Sequence, residues 1–140
     1  QTGKYYEREM QQFLAEHPTK QIWQGAFIDR MDYAYAAADL VISRSGAGTV
    51  SELCLVAKPV LFVPSPNVAE DHQTANARAL VKEGAAAMVA DRECLDKAVG
   101  EALRLLSDEK ALQAMSANLE RLARPQAAED IVDEILKLIE

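Results

Sequence analysis

The stretch from Ser43 to Leu53, SRSGAGTVSEL, combines residue types that suit phosphate binding. It lies between a short apolar run and a predicted helix. Gly46 and Gly48 would let a ligand approach the backbone closely, and the free amides around 47–49 at the helix start favour an anion. The stretch lacks the Gly-Lys-Ser/Thr ending of a P-loop and the third glycine of a dinucleotide fingerprint. It therefore predicts either a phosphate site or a purely structural tight turn.

Two further side chains in this stretch could extend such a site. Thr49 can donate a hydroxyl hydrogen bond, and Glu52, expected in the first helical turn, can accept hydrogen bonds from a sugar diol beside a bound phosphate. In the structural alternative, Thr49 caps the helix and Glu52 balances its dipole. The residues alone leave both interpretations open.

A second polar stretch runs over 70–77 and opens another predicted helix. His72 and Gln73 are adjacent neutral hydrogen-bonding groups suited to sugar hydroxyls, and Asn76 lies one turn further on the same side. The alternative is that Asp71 caps the helix while His72 and Gln73 are only solvated. Sugar binding and a plain helix start are thus both compatible with the sequence.

Other candidate chemistry is sparse. After a predicted strand, the backbone of residues 27–29 could read the edge of a base, or the strand could simply end there. His17 and His72 are the only histidines, and no spacing suits a metal site. Cys54 and Cys94 match no zinc or CxxC pattern, which favours reduced thiols in a cytosolic protein. No nucleophile–histidine arrangement stands out, so no catalytic residue is predicted in this chain.

The elements that must position these residues alternate between strand and helix. The alternation predicts a Rossmann-like α/β domain over 1–140, with a parallel sheet, right-handed crossovers and ligands beyond the carboxyl ends of the strands. C-terminal helices follow over about 95–140. Strands are predicted at 21–27, 40–43, 60–63 and 87–90, and helices at 5–16, 32–38, 49–57, 71–83, 95–107 and 108–122, before a final amphipathic helix.

The amino-acid composition of the chain argues against some classes of function. The 140 residues include 15 basic and 22 acidic side chains, a formal net charge of −7, with 49% hydrophobic and 26% charged residues. This is typical of a globular protein. The acidic balance argues against nucleic-acid binding and against a polybasic membrane anchor. No apolar run approaches the roughly 18 residues of a transmembrane helix.

The segments 28–29, 38–52 and 72–77 together resemble the carboxyl-terminal, donor-binding domain of the peptidoglycan N-acetylglucosaminyltransferases, a family with the two-domain GT-B fold. The resemblance runs from Gln1 to about Leu122, and the Arg-Ser-Gly-Ala-x-Thr-x-x-Glu run is its most specific part. It implies inverting transfer of N-acetylglucosamine from UDP-N-acetylglucosamine (UDP-GlcNAc) to undecaprenyl-pyrophosphoryl-N-acetylmuramyl-pentapeptide (lipid I), which gives lipid II. It also implies no metal or other cofactor, and a cytoplasmic enzyme peripheral to the inner face of the bacterial membrane.

The resemblance also assigns roles to individual residues. The Ile28 backbone would meet the uracil, residues 47–49 would hold the diphosphate, and Glu52 would bind the ribose. His72 and Gln73 would contact the N-acetylglucosamine, supported by Asn76. In other members a larger apolar residue often stands at the place of Gly48, and some have glutamine at that of His72. The full set of predicted substrate-binding residues is Ile28, Arg44, Ser45, Gly46, Ala47, Gly48, Thr49, Glu52, His72, Gln73 and Asn76.

Two alternatives stay open beside this interpretation: a UDP-GlcNAc 2-epimerase of the same fold, and a non-catalytic nucleotide-sugar-binding module. The resemblance further predicts that the chain is the last part of a longer enzyme. The acceptor domain with its catalytic base, and the first strands of the donor domain, would then lie outside it. The chain alone would be inactive, and the 21–27 and 40–43 strands would expose unpaired edges. We hypothesise that the chain self-associates, or that the 21–27 strand repositions, to cover these edges.

Overall fold

The computed structural model describes residues 1–66 and 71–139. The chain divides into two compact units, Gln1–Ala37 and Ala38–Glu140. The first unit contains α1 (Gly3–Glu16) and α2 (Met31–Ala37). The second contains β1 (Val41–Ser43), α3 (Ala47–Val56), β2 (Val60–Phe62), α4 (His72–Lys82), β3 (Ala87–Met88), a 3-10 turn (Asp91–Glu93), α5 (Cys94–Leu106), α6 (Glu109–Leu122) and α7 (Ala127–Lys137).

The sheet of the second unit has three parallel strands in the order β1-β2-β3. Val41 lies opposite Val60, and Leu61 lies opposite Ala87. All three residues of β2 are buried, as expected for a strand covered on both faces and reading as a continuous apolar run. The predicted α/β fold with a parallel sheet is therefore confirmed.

The helices of this unit bury their apolar positions around β2. Leu53 of α3 and Leu119 of α6 are fully buried. The α6 helix begins as its sequence predicts, because the Asp108 side chain caps it by accepting the Ala111 N–H at 3.0 Å. Gly84 takes a positive φ of 65° after α4, a conformation that costs glycine little. The core of this unit therefore includes β2 and the inner faces of α3 and α6.

The strand predicted over 21–27 is wrong, because this segment is irregular. Its backbone carbonyls instead pair with the start of the chain: the N–H groups of Thr2 and Gly3 donate to Gly25 and Ala26, each at 3.0 Å. A Cβ on Gly25 would lie 2.7 Å from the Trp23 ring, so this glycine makes room for the indole. The first unit is therefore helical, with a loop folded back on its own N-terminus.

Two predicted helix starts also differ from the structure. The α3 helix begins at Ala47, two residues earlier than predicted, with Gly46 as N-cap residue, so Thr49 does not cap it and Glu52 falls in the second turn. Asp71 precedes α4 with a positive φ of 50° and makes no capping hydrogen bond through its side chain.

The sequence also predicts a rigid, proline-containing loop over 64–67. This loop extends outside the described residues at Asn67, and the polar stretch over 70–77 does so at Glu70. The final amphipathic helix is present as α7, and none of its residues is buried. Within 1–66 and 71–139, no helix is both long enough and apolar enough to cross a bilayer.

Candidate functional site

The start of α3 presents backbone donors at the surface. The first hydrogen bond of the helix joins the Val50 N–H to the Gly46 carbonyl at 3.0 Å. The N–H groups of residues 47–49 therefore precede the intrahelical ladder and have no acceptor in their own helix. Ala47 and Gly48 are exposed, and Thr49 is half-buried. Their donors, with the partial positive charge of the helix terminus, can hold an anion.

The two glycines at this point leave space that the chain itself does not use. A Cβ on Gly46 or Gly48 would meet no heavy atom within 4 Å. Gly46 has φ −62° and ψ 151°, an extended conformation that any residue adopts. Neither packing nor backbone conformation therefore requires glycine here, and the open space is consistent with close approach by a ligand.

Ser45 joins the two predicted polar stretches from beneath the surface. It is fully buried, with an exposed fraction of 0%. Its hydroxyl donates to the Gln73 backbone carbonyl at 2.8 Å, and its own carbonyl accepts from Asn76 Nδ2 at 3.1 Å. The structure thus brings the start of α4 beside the loop that leads into α3, although 28 residues separate Ser45 from Gln73.

The first turn of α4 carries the polar side chains expected at a sugar site. His72 is the first residue of the helix and is exposed. Gln73 is half-buried, and its Oε1 accepts the backbone N–H of Ser65 at 2.9 Å. This bond ties the loop after β2 to α4. Sequence reasoning did not single out Ser65, because nothing in its local pattern indicates a bond to a side chain eight residues away.

Arg44 connects the ends of all three strands. Its guanidinium donates to the Val63 carbonyl at 3.0 Å and forms an ion pair with Asp91 in the 3-10 turn after β3. The Arg44 side chain remains about half exposed. Asp91 was missed by sequence reasoning, and the one available signal was its position after the last predicted strand, at the same edge of the sheet.

A cavity of about 520 Å³ lies next to this ion pair, beyond the ends of β2 and β3. Its lining includes Pro64, Thr74, Arg78 and Asp91.

Glu52 is exposed one turn and a half into α3. Among the described residues, no three His, Cys, Asp or Glu side chains come together as a metal-binding group.

Ile28 belongs to the first unit, and the other predicted site residues belong to the second. The Ile28 backbone N–H donates to Gln1 Oε1 at 3.1 Å. Its contact with a base stays a prediction.

Comparison with known proteins identifies the class to which this fold and site belong. Residues 1–134 match the model of the glycosyltransferase family 28 C-terminal domain. The chain belongs to this family, and the resemblance found in the sequence is confirmed.

Particular relatives are close. The chain is 52% identical over all 140 residues to the UDP-N-acetylglucosamine–N-acetylmuramyl-(pentapeptide) pyrophosphoryl-undecaprenol N-acetylglucosamine transferase of Parabacteroides distasonis. It is 49% identical to the enzyme of that name from Porphyromonas gingivalis strain W83, again over the whole chain. A crystal structure of MurG from Acinetobacter baumannii matches 96% of the chain with a TM-score of 0.83 and 33% identity. The chain spans 38%, 37% and 39% of these three proteins.

Proposed function

We propose that the chain is the donor-binding part of an enzyme that transfers N-acetylglucosamine from UDP-GlcNAc to lipid I in peptidoglycan synthesis. The identity of about half of all residues to transferases of that name supports this proposal. The structural observation that carries it is the start of α3, where the N–H groups of residues 47–49 have no acceptor in their own helix and an added Cβ on Gly46 or Gly48 would meet no heavy atom within 4 Å. A diphosphate fits this combination of donors and dipole.

The donor would bind along the carboxyl edge of the sheet. The diphosphate would lie at residues 47–49, with Arg44 beside it and Glu52 accepting hydrogen bonds from the ribose hydroxyls. His72 and Gln73 would contact the N-acetylglucosamine. The hydrogen bonds among Ser45, Gln73 and Asn76 support this placement, because they join the proposed phosphate and sugar ends of the site. The Ile28 backbone would meet the uracil.

The proposed chemistry is transfer with inversion. The acceptor hydroxyl attacks the anomeric carbon while the bond to the uridine diphosphate breaks, and the electron pair leaves with the diphosphate. The start of α3 would stabilise this developing negative charge, since preorganised donors aimed at a leaving group lower the barrier. We propose that this stabilisation serves in place of a bound metal, so a chelator should leave donor affinity unchanged.

The acceptor side of the reaction would lie elsewhere. No residue of this chain is proposed as the catalytic base, and residues 1–140 alone should not turn over. Lipid I would be bound by a further domain, with the complete enzyme peripheral to the cytoplasmic face of the membrane. We expect the chain to retain a weak but measurable affinity for UDP.

The ribose contact of Glu52 provides the test. In a titration of the 140-residue chain followed by NMR, Glu52→Gln should weaken UDP binding by about tenfold, a loss typical of a charged hydrogen bond. Against 2′-deoxy-UDP, wild type and variant should differ much less, because one hydroxyl partner is gone. The matched control is Glu120→Gln, the same change at an exposed position of α6. Unchanged UDP affinity in Glu52→Gln would favour a purely structural turn.

A further inference from the structure

The Ser45 side chain is fully buried, and its hydroxyl bonds another part of the chain. Ser45 is the one polar residue buried in the core of the described chain, and its hydroxyl is used internally to hold the Gln73 carbonyl at 2.8 Å. A buried hydroxyl costs free energy unless it is hydrogen-bonded. The bond to the Gln73 carbonyl offsets this cost, so we look for the role of Ser45 in what that bond positions.

Gln73 is fixed at two points. Its backbone carbonyl accepts from Ser45, and its side-chain Oε1 accepts from the Ser65 backbone N–H at 2.9 Å. A backbone N–H can only donate, so the oxygen of the amide must face Ser65 and the Nε2 group must face away. Within 1–66 and 71–139, Nε2 makes no hydrogen bond of its own. Gln73 therefore presents donors at the first turn of α4.

We propose that Ser45 is a positioning residue for recognition of the donor sugar. It holds the first turn of α4 so that Gln73 keeps Oε1 on Ser65 and directs Nε2 to an oxygen acceptor of the sugar. This inference rests on the proposed function. It adds that the loop before α3 governs sugar recognition through a buried bond, in addition to any phosphate contact that its backbone makes.

The first test needs no ligand. Amide hydrogen exchange of Ser45→Ala should show the Ser65 N–H exchanging about tenfold faster, the effect of weakening one hydrogen bond. The Val89 N–H, bonded to the Phe62 carbonyl at 2.9 Å within the sheet, should change by less than about twofold if the effect is local. An unchanged Ser65 rate, or an equal increase at both amides, would overturn the proposal. Ser51→Ala is the matched control, because its hydroxyl bonds only the Ala47 carbonyl of its own helix.

The second test measures sugar recognition. We expect wild type to bind UDP-GlcNAc more tightly than UDP, and Ser45→Ala to lose this preference while its UDP affinity changes by less than about twofold. Ser45→Thr, which keeps the hydroxyl, should restore the preference. Equal weakening toward both ligands would mean a merely structural role and would contradict the proposal.

A second variant keeps the proposal testable if Ser45→Ala does not fold. Gln73→Glu retains an oxygen for the Ser65 N–H but replaces the outward donor with an acceptor. The ratio of UDP-GlcNAc affinity to UDP affinity, measured on the same variant, should lose its preference for the sugar, and a retained preference would contradict the proposal. Should wild type itself prefer UDP-GlcNAc no more than UDP, the proposed function fails, while amide exchange still decides whether Ser45 positions Gln73.

Discussion

The side chain of Asn76 donates through Nδ2 to the backbone carbonyl of Ser45 at 3.1 Å, across 31 residues of sequence. The bond joins α4 to the loop that leads into α3. Ser45 is buried, so water cannot replace Asn76 as the hydrogen-bond donor to its carbonyl. Shortening Asn76 would therefore leave this carbonyl without a partner. The relationship explains why an amide at this position would matter for the site without itself contacting the donor.

This bond predicts a loss of stability. Asn76→Ala should lower the free energy of unfolding by about 1–3 kcal/mol, the cost of leaving a buried acceptor unsatisfied. Urea unfolding followed by circular dichroism measures it. Gln113→Ala is the control, since Gln113 is exposed and bonds only Glu109 on its own helix, and it should stay within about 0.5 kcal/mol of wild type. A loss in Asn76→Ala no larger than in the control would show that the bond contributes nothing.

The open space above Gly48 predicts a gain of both stability and affinity. Gly48→Ala should raise the free energy of unfolding by about 0.5–1 kcal/mol, because alanine favours helix. The family resemblance often places a larger apolar residue here, so a nucleotide in this space should pack on the added methyl rather than be blocked by it, and UDP binding should tighten by about threefold. Gly100→Ala in α5, where a Cβ also meets nothing within 4 Å, should stabilise similarly and leave UDP affinity unchanged. Equal UDP affinity in both variants would argue against a ligand over Gly48.

The buried Cys54 thiol predicts a dependence on pH. Burial raises the pKa of this thiol, so the fold favours its protonated form. That contribution is complete below the ordinary thiol pKa and is lost as the pH rises through the folded value. The difference in unfolding free energy between wild type and Cys54→Ala should therefore shrink in alkaline solution. A difference that is constant across this range, with Cys94→Ala as reference, would contradict the assignment.

The unpaired edge of β1, with the exposed side chain of Ile42, predicts self-association of the chain. Among the described residues β1 pairs only with β2, and Ile42 is 53% exposed. An open apolar edge favours pairing with another chain. Light scattering should show concentration-dependent association of wild type and less of it in Ile42→Lys. The hypothesis fails if wild type is monomeric at all concentrations. The second open edge, predicted at 21–27, does not form, because that segment is not a strand.

The sequence predicted the second unit and both helices of the first unit, and it failed at the segment 21–27 for a physical reason. Residues 40–43 and 60–63 are short β-branched runs, a pattern typical of buried parallel strands, and both are strands in the structure. Residues 21–27 show a similar apolar content, but a strand needs a partner edge, and here the carbonyls of Gly25 and Ala26 bond the start of the chain. The strand propensity of a segment does not show which backbone groups it will pair with.

The candidate site was likewise predictable only in part. The glycines and the helix start could be found, since they are consecutive in sequence. The α3 boundary was misplaced because glycine disfavours helix, whereas Gly48 lies inside the first turn. The bonds from Ser45 to Gln73 and from Arg44 to Asp91 span 28 and 47 residues, and no local spacing indicates them.

The proposed function depends most on a diphosphate binding at the start of α3, and an NMR titration of the 140-residue chain with UDP tests this directly. We expect the largest amide shifts at Ala47, Gly48 and Thr49, and we expect inorganic pyrophosphate to shift the same amides. Saturable UDP binding that leaves these three amides unmoved, or no shift at any amide at millimolar UDP, would contradict it.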